Sequence, residues 1–251
     1  MQTRLSTLAA ALLAACLLPA HAARADTVAE RFAPPTGYAR LAVAGGSFGA
    51  YLRRLPLLPG RPPVHLYDGR EKADQGAHVA VVDMDVGRRD LQQCADAVMR
   101  LWAEHLRAIG RERDVCFRAA NGERLRFSGP ARGFRRYLDK VFAAANTASL
   151  ARQLVRVADP RRVEPGDVFV QGATAAGFGH AVIVVDVAER ADGRRAFLLA
   201  QSYMPAQEIH VLRNPRDPAS PWYEPTADGA LETPEWTFGP GALMRFEPGR
   251  C

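Results

Sequence analysis

His180-Ala-Val-Ile-Val-Val-Asp-Val187, entered through Gly177-Phe-Gly179, is the stretch that decides the fold. Eight residues with one charge are too apolar for a strand with a wet face. They predict a strand buried on both sides. The Asp192-Gly193 turn and the apolar run 196–201 return the chain as a second strand. Upstream, Pro165-Gly166 turns into a strand over 167–171, and a loop of small residues, 172–179, leads to His180.

Working further outward, Leu91, Cys94, Ala95, Val98, Leu101, Trp102, His105, Leu106 and Ile109 recur on one face at helical spacing. Asp90 is the expected N-cap and Gly110 the stop. Further strands are expected over 64–68, 78–84, 209–212 and 242–246. A hairpin turns at Asn121-Gly122, and two helices, 134–145 and 147–157, break near Asn146. The class is α+β, with helices packed on an antiparallel sheet. Residues 26–63, which hold many Pro and Gly and one short helix near 48–55, read as an N-terminal arm or cap packed on the main body. Residues 64–251 read as a single domain.

The chain has 251 residues, 48% hydrophobic and 24% charged, as expected of a globular protein. Residues 1–25 are read as a signal peptide. Arg4 precedes an apolar run, and Ala23-Arg24-Ala25 offers a cleavage site. An alternative reading takes Leu13-Ala-Ala-Cys16 as a lipobox, with Cys16 lipidated; membrane attachment is expected only by that route. The apolar run continues through Leu17 and Leu18, which favours plain secretion to the periplasm or the exterior. The net charge is +6, carried almost wholly by scattered Arg; the only lysines are Lys72 and Lys140. No basic run with interleaved aromatics occurs, so nucleic acid is not an expected partner.

After cleavage Cys94, Cys116 and Cys251 remain, an odd number for an exported chain. Either Cys94 pairs with Cys116, or Cys116 pairs with Cys251 and Cys94 is free. Cys94 near a helix N-terminus and His180 opening a strand are the residues of a thiol nucleophile and its base. The helix dipole and an imidazolium would both favour the thiolate. Read blandly, the two are a buried thiol and a core histidine. Gln201, ending the neighbouring strand, is the expected orienter of the imidazole. Asp167 is another partner to weigh. Asp186 lies about 20 Å along the strand from His180 and is too far. Gln92 or Gln93, with the backbone N–H of Cys94, could receive an oxyanion. Tyr203, Trp222, Tyr223 and Trp236 are candidates for lining a peptide or glycan groove, or for ordinary packing. His65, His78, His105 and His210 are dispersed and read as structural; no metal-ligand spacing or phosphate loop is present, and no cofactor is expected.

The strings Asp90-Leu-Gln-Gln-Cys-Ala-Asp-Ala, Gly179-His-Ala-Val-Ile-Val-Val-Asp, Ala200-Gln-Ser-Tyr-Met-Pro-Ala-Gln207 and Thr233-Pro-Glu-Trp236 resemble a family of exported bacterial proteins of unknown function. The likeness runs from about Tyr38 to Phe246. More loosely, Gly166-Asp-Val followed by Gly179-His-Ala-Val is similar to the second half of CHAP and NlpC-type amidases. That resemblance implies a papain-like fold in which Cys94, His180 and Gln201 take the nucleophile, base and orienter positions. The Cys-to-His interval is long for those families, and the aromatic often found after the cysteine is missing. The function expected is an envelope cysteine hydrolase or amidase acting on an amide of peptidoglycan or another envelope peptide. The alternative is a non-catalytic envelope binding protein on the same fold.

Overall fold

The computed structural model describes residues 26–173, 177–247 and 249–251. The expected signal peptide and Cys16 lie outside these residues. In chain order the elements are α1 (Val28–Arg31), β1 (Tyr38–Arg40), α2 (Phe48–Arg53), β2 (His78–Val81) and α3 (Cys94–Ala108). Next come β3 (Cys116–Arg118), β4 (Arg124–Arg126), α4 (Phe134–Ala144), α5 (Thr147–Gln153), β5 (Val155–Arg156) and β6 (Val168–Gln171). The last are β7 (His180–Arg190), β8 (Arg195–Gln201), β9 (His210–Leu212), β10 (Leu231–Glu232), β11 (Thr237–Phe238) and β12 (Leu243–Arg245).

The main sheet runs β2-β9-β8-β7-β6-β12-β5, with β1 on the far end of β7, and each of its pairings is antiparallel. The architecture is therefore α+β. β7 is the long central strand and is buried from His180 to Ala188. Ala181, Ile183 and Val185 join the core under the helices, whereas Val182, Val184 and Val187 join the core on the opposite face. A register shift between Val184 and Asp186 breaks strict alternation; such a bulge adds a residue to one strand.

The segment 26–63 packs on the main body: Val28, Phe48, Leu52, Leu55 and Leu57 are part of the helix-side core, and β1 pairs with β7. The helix expected from Asp90 begins at Cys94, with Gln93 as its N-cap. Asp90 is engaged elsewhere, because its Oδ1 accepts the Ala206 N–H at 2.7 Å. The disulfide joins Cys116 to Cys251 and leaves Cys94 free. No helix among the described residues is long and apolar enough to cross a membrane.

Asp186 is fully buried at the bulge, where Arg40 Nε (2.7 Å) and Arg53 Nε (2.5 Å) donate to its two oxygens. This ion triad ties β1 and α2 to β7. Removing the carboxylate strands two guanidinium groups that are largely out of water. Asp186→Ala should therefore destabilise the fold by about 3–5 kcal/mol, seen as a lower urea midpoint; an unchanged midpoint would refute the triad's role.

Candidate functional site

A cavity of about 780 Å³ opens where the N-terminus of α3 meets the start of β7. Cys94 and His180 both line it, with Gln93, Asp96, Tyr203 and Trp236. Cys94 is the first residue of α3. The helix start is fixed by the Gln93 backbone N–H, which donates to Asp96 Oδ2 at 3.0 Å. Amphipathicity then turns the first residue toward the sheet while leaving it at the helix end.

His180 is held on every side. Its ring lies 4.7 Å from that of Tyr203, 5.3 Å from Trp236 and 5.8 Å from Phe238, centroid to centroid. The preceding residue must be glycine. A Cβ on Gly179 would come within 2.3 Å of the Gln171 carbonyl oxygen and 2.6 Å of the Ala173 nitrogen. Both are backbone atoms that cannot step aside, so the loop can deliver His180 this close to β6 only without a side chain.

The hydrogen bonds decide the tautomer. His180 Nε2 lies 2.9 Å from Gln201 Oε1. The Gln201 amide nitrogen donates to Glu235 Oε2 at 2.7 Å, and a carboxylate only accepts. The amide is thereby oriented with its oxygen toward His180, and His180 must donate from Nε2. Nδ1 then carries the lone pair. It has no hydrogen-bond partner among the described residues, and the residue lines the cavity. No hydrogen bond joins it to the Cys94 thiol, a looseness common in sites without substrate. The Ala181 N–H, one residue on from His180, is close enough to the thiol to favour its charged form.

Burial opposes charge on both partners. It pushes the Cys94 thiol up to about 11, with Asp96 adding to the rise and the Ala95 and Ala181 N–H groups offsetting part of it. It pulls the His180 imidazole down to about 4, although the bond to Gln201 works the other way. The expected thiolate–imidazolium pair is therefore replaced at neutral pH by a neutral thiol beside a neutral imidazole. Desolvation outweighs the helix dipole here. Burial also raises the Asp96 carboxyl well above the usual range, and its Oδ1 is sealed with no partner among the described residues.

The other expected residues divide. Tyr203 and Trp236 line the cavity; the Trp236 Nε1–H is sealed without a partner among the described residues. Gln93 also lines it, with its amide nitrogen donating to Asp90 Oδ1 at 3.0 Å. Gln92 does not: it is fully buried behind the wall, its Oε1 accepting from Arg100. Trp222 and Tyr223 are also elsewhere. Trp222 is buried with its indole N–H on the Ala33 carbonyl at 2.9 Å, and Tyr223 stacks on Phe197 with its hydroxyl on the Arg213 carbonyl. Both are bound into the fold by these contacts, so packing is the reading that fits them. Asp167 is no partner of His180; it accepts from Arg245 at 2.6 and 2.9 Å.

Glu235 and Lys72 are given no role by the sequence, and His210 is read there as structural. Glu235 sits in the turn joining β10 to β11, closed by Thr233 hydrogen bonds to Trp236. Lys72 Nζ donates to Glu235 Oε1 at 2.6 Å. His210 Nε2 lies 3.3 Å from the Gln201 amide nitrogen, and its Nδ1 donates to the Glu208 carbonyl at 2.9 Å. The available signals were the Thr-Pro-Glu-Trp string and the rarity of lysine in an arginine-rich chain.

No curated protein and no solved structure shows significant similarity to the chain. A family described as a domain of unknown function (4846) matches residues 28–135 and 129–245, so both Cys94 and the His180–Gln201–Glu235 cluster fall within matched segments. The chain belongs to that family of domains of unknown function.

Proposed function

We propose that the protein is a cysteine hydrolase or amidase of papain-like architecture. The observation that carries this reading is the hydrogen-bond row: Gln201 Oε1 lies against His180 Nε2, whose N–H it accepts, which leaves the basic Nδ1 for the cavity that Cys94 lines. Nucleophile, base and orienter then follow one another as in other thiol hydrolases.

The neutral resting pair dictates the order of proton movement. Cys94 Sγ attacks the amide carbonyl as His180 Nδ1 removes its proton, forming a tetrahedral oxyanion and an imidazolium. Charge that is costly in the resting cavity is created only when the substrate oxyanion is there to balance it. The Cys94 N–H at the helix start receives the oxyanion, with the Gln93 side chain as second donor in preference to Gln92. The C–N bond breaks as the imidazolium returns its proton to the leaving nitrogen, giving a thioester. Water, deprotonated by the same nitrogen, releases the carboxylic acid and restores the thiol.

For the substrate we propose an amide of peptidoglycan or another envelope peptide, met after export. The support is the sequence of residues 1–25 and the likeness to CHAP and NlpC-type amidases. Tyr203 and Trp236 offer ring surface to such a ligand, and Phe178 and Met204 stand exposed on the cavity wall. A non-catalytic binding role for the same cavity draws support from the high thiol pKa alone.

Purified protein should release new amine and carboxyl ends from a muropeptide mixture, read by mass spectrometry. Cys94→Ala should lower the rate about 10³-fold or more without changing the fold. Equal product from wild type and variant would reject catalysis by this thiol.

The pH dependence has a definite sign. His180 must be unprotonated to act as base, and its protonation lies near pH 4. Activity should rise through about pH 4 and be level across neutrality, where an ordinary histidine would still be titrating near 6.5. An acid limb of kcat/KM centred near 6.5 would contradict the buried neutral base.

A further inference from the structure

We propose that Glu235, anchored by Lys72, is a positioning residue that locks the Gln201 amide and thereby keeps the basic lone pair of His180 on Nδ1. The inference rests on the proposed thiol chemistry and extends it two residues outward from the imidazole. A glutamine is an ambiguous orienter. Its oxygen and nitrogen are nearly the same size, and a rotation of half a turn exchanges an acceptor for a donor. In the flipped state the amide N–H would face His180 Nε2, the proton would move to Nδ1, and the base would be lost to the cavity. Gln201 is 1% exposed, so water is not there to choose between the two states.

Glu235 makes the choice. Its Oε2 accepts from the Gln201 nitrogen at 2.7 Å, and a carboxylate has no proton to offer the flipped oxygen. Its Oε1 accepts from Lys72 Nζ at 2.6 Å, so the carboxylate is itself fixed and compensated. The ammonium is held in turn by the Asp74 carbonyl at 2.7 Å. The second amide hydrogen points toward His210 Nε2 at 3.3 Å. That nitrogen is an acceptor because His210 Nδ1 donates to the Glu208 carbonyl and burial pulls the ring down to about 3. Both amide hydrogens thus meet acceptors, and the Gln201 oxygen meets a donor. The flipped amide would set its oxygen against a carboxylate and a lone pair at once. The shorter, charge-assisted bond to Glu235 carries most of that preference.

The test is the double variant Lys72→Met/Glu235→Gln. It removes both charges together, so no buried ion is left alone, and it substitutes an acceptor-only group by an amide of the same shape that tolerates either Gln201 orientation. Two readouts apply to wild type and variant, with the native disulfide intact. Long-range proton–nitrogen NMR reports the His180 tautomer, and iodoacetamide at pH 7 reports Cys94 reactivity. The wild type should show the Nε2–H tautomer. The double variant should gain a substantial Nδ1–H population and lose about tenfold in Cys94 alkylation rate; Lys72→Arg should retain the wild-type tautomer. An unchanged tautomer and rate in a folded double variant would overturn the role of Glu235, while a fall in alkylation with Gln201→Ala would leave the thiol–imidazole reading standing. Should His180→Ala and Gln201→Ala also leave alkylation unchanged, the thiol–imidazole reading itself fails.

Discussion

Covering β7 on both faces is the constraint from which the rest of the architecture follows. A strand with no wet side needs apolar cover above and below, and the chain supplies it from distant segments. Helices α1, α2 and α3 close one face, while Phe169, Phe197, Tyr223 and Phe238 build the other. The bulge at Val184–Asp186 breaks this regularity, and a buried carboxylate there finds Arg40 and Arg53. The same two-sided burial brings the start of β7 deep into the protein. His180 is thus desolvated by the architecture that makes β7 central.

That desolvation shapes the chemistry proposed for the site. Burial there disfavours both the thiolate and the imidazolium. The resting state is neutral, and the base depends on which nitrogen bears the proton. Orientation does the work that charge does elsewhere. The polar row Lys72–Glu235–Gln201–His180 is the one proposed to set it, and every bond in that row has a donor facing an acceptor. Half-satisfied, such a row would be worse than an apolar core.

Legibility followed sequence distance. β7, β8 and α3 declare themselves through local periodicity, and the hairpin at Asn121-Gly122 through its turn residues. Asn146 as a break is equally local, since its side chain caps α5. α3 starts three residues later than Asp90 as N-cap implies, because Asp90 serves a backbone N–H more than a hundred residues away. The N-terminal segment reads as an arm or cap because its few apolar residues are spaced by Pro and Gly; which of them are core is shown only by their docking on β7. Trp222 and Tyr223 look like binding residues in a loop-rich stretch, yet a carbonyl partner and a buried strand neighbour explain both.

By itself, the sequence determined the α+β class, the placing of Cys94 near a helix start and of His180 at a strand start, and the glycine before that histidine. These are properties of adjacent residues, written in periodicity and backbone freedom. The tertiary structure alone decided which cysteines pair, that Gln93 and not Gln92 faces the cavity, that thiol and imidazole are both neutral, and that Glu235 and Lys72 stand behind Gln201. Each of those depends on burial or on a hydrogen bond between residues far apart in the chain. Dielectric surroundings and long-range polar partners have no local pattern to read.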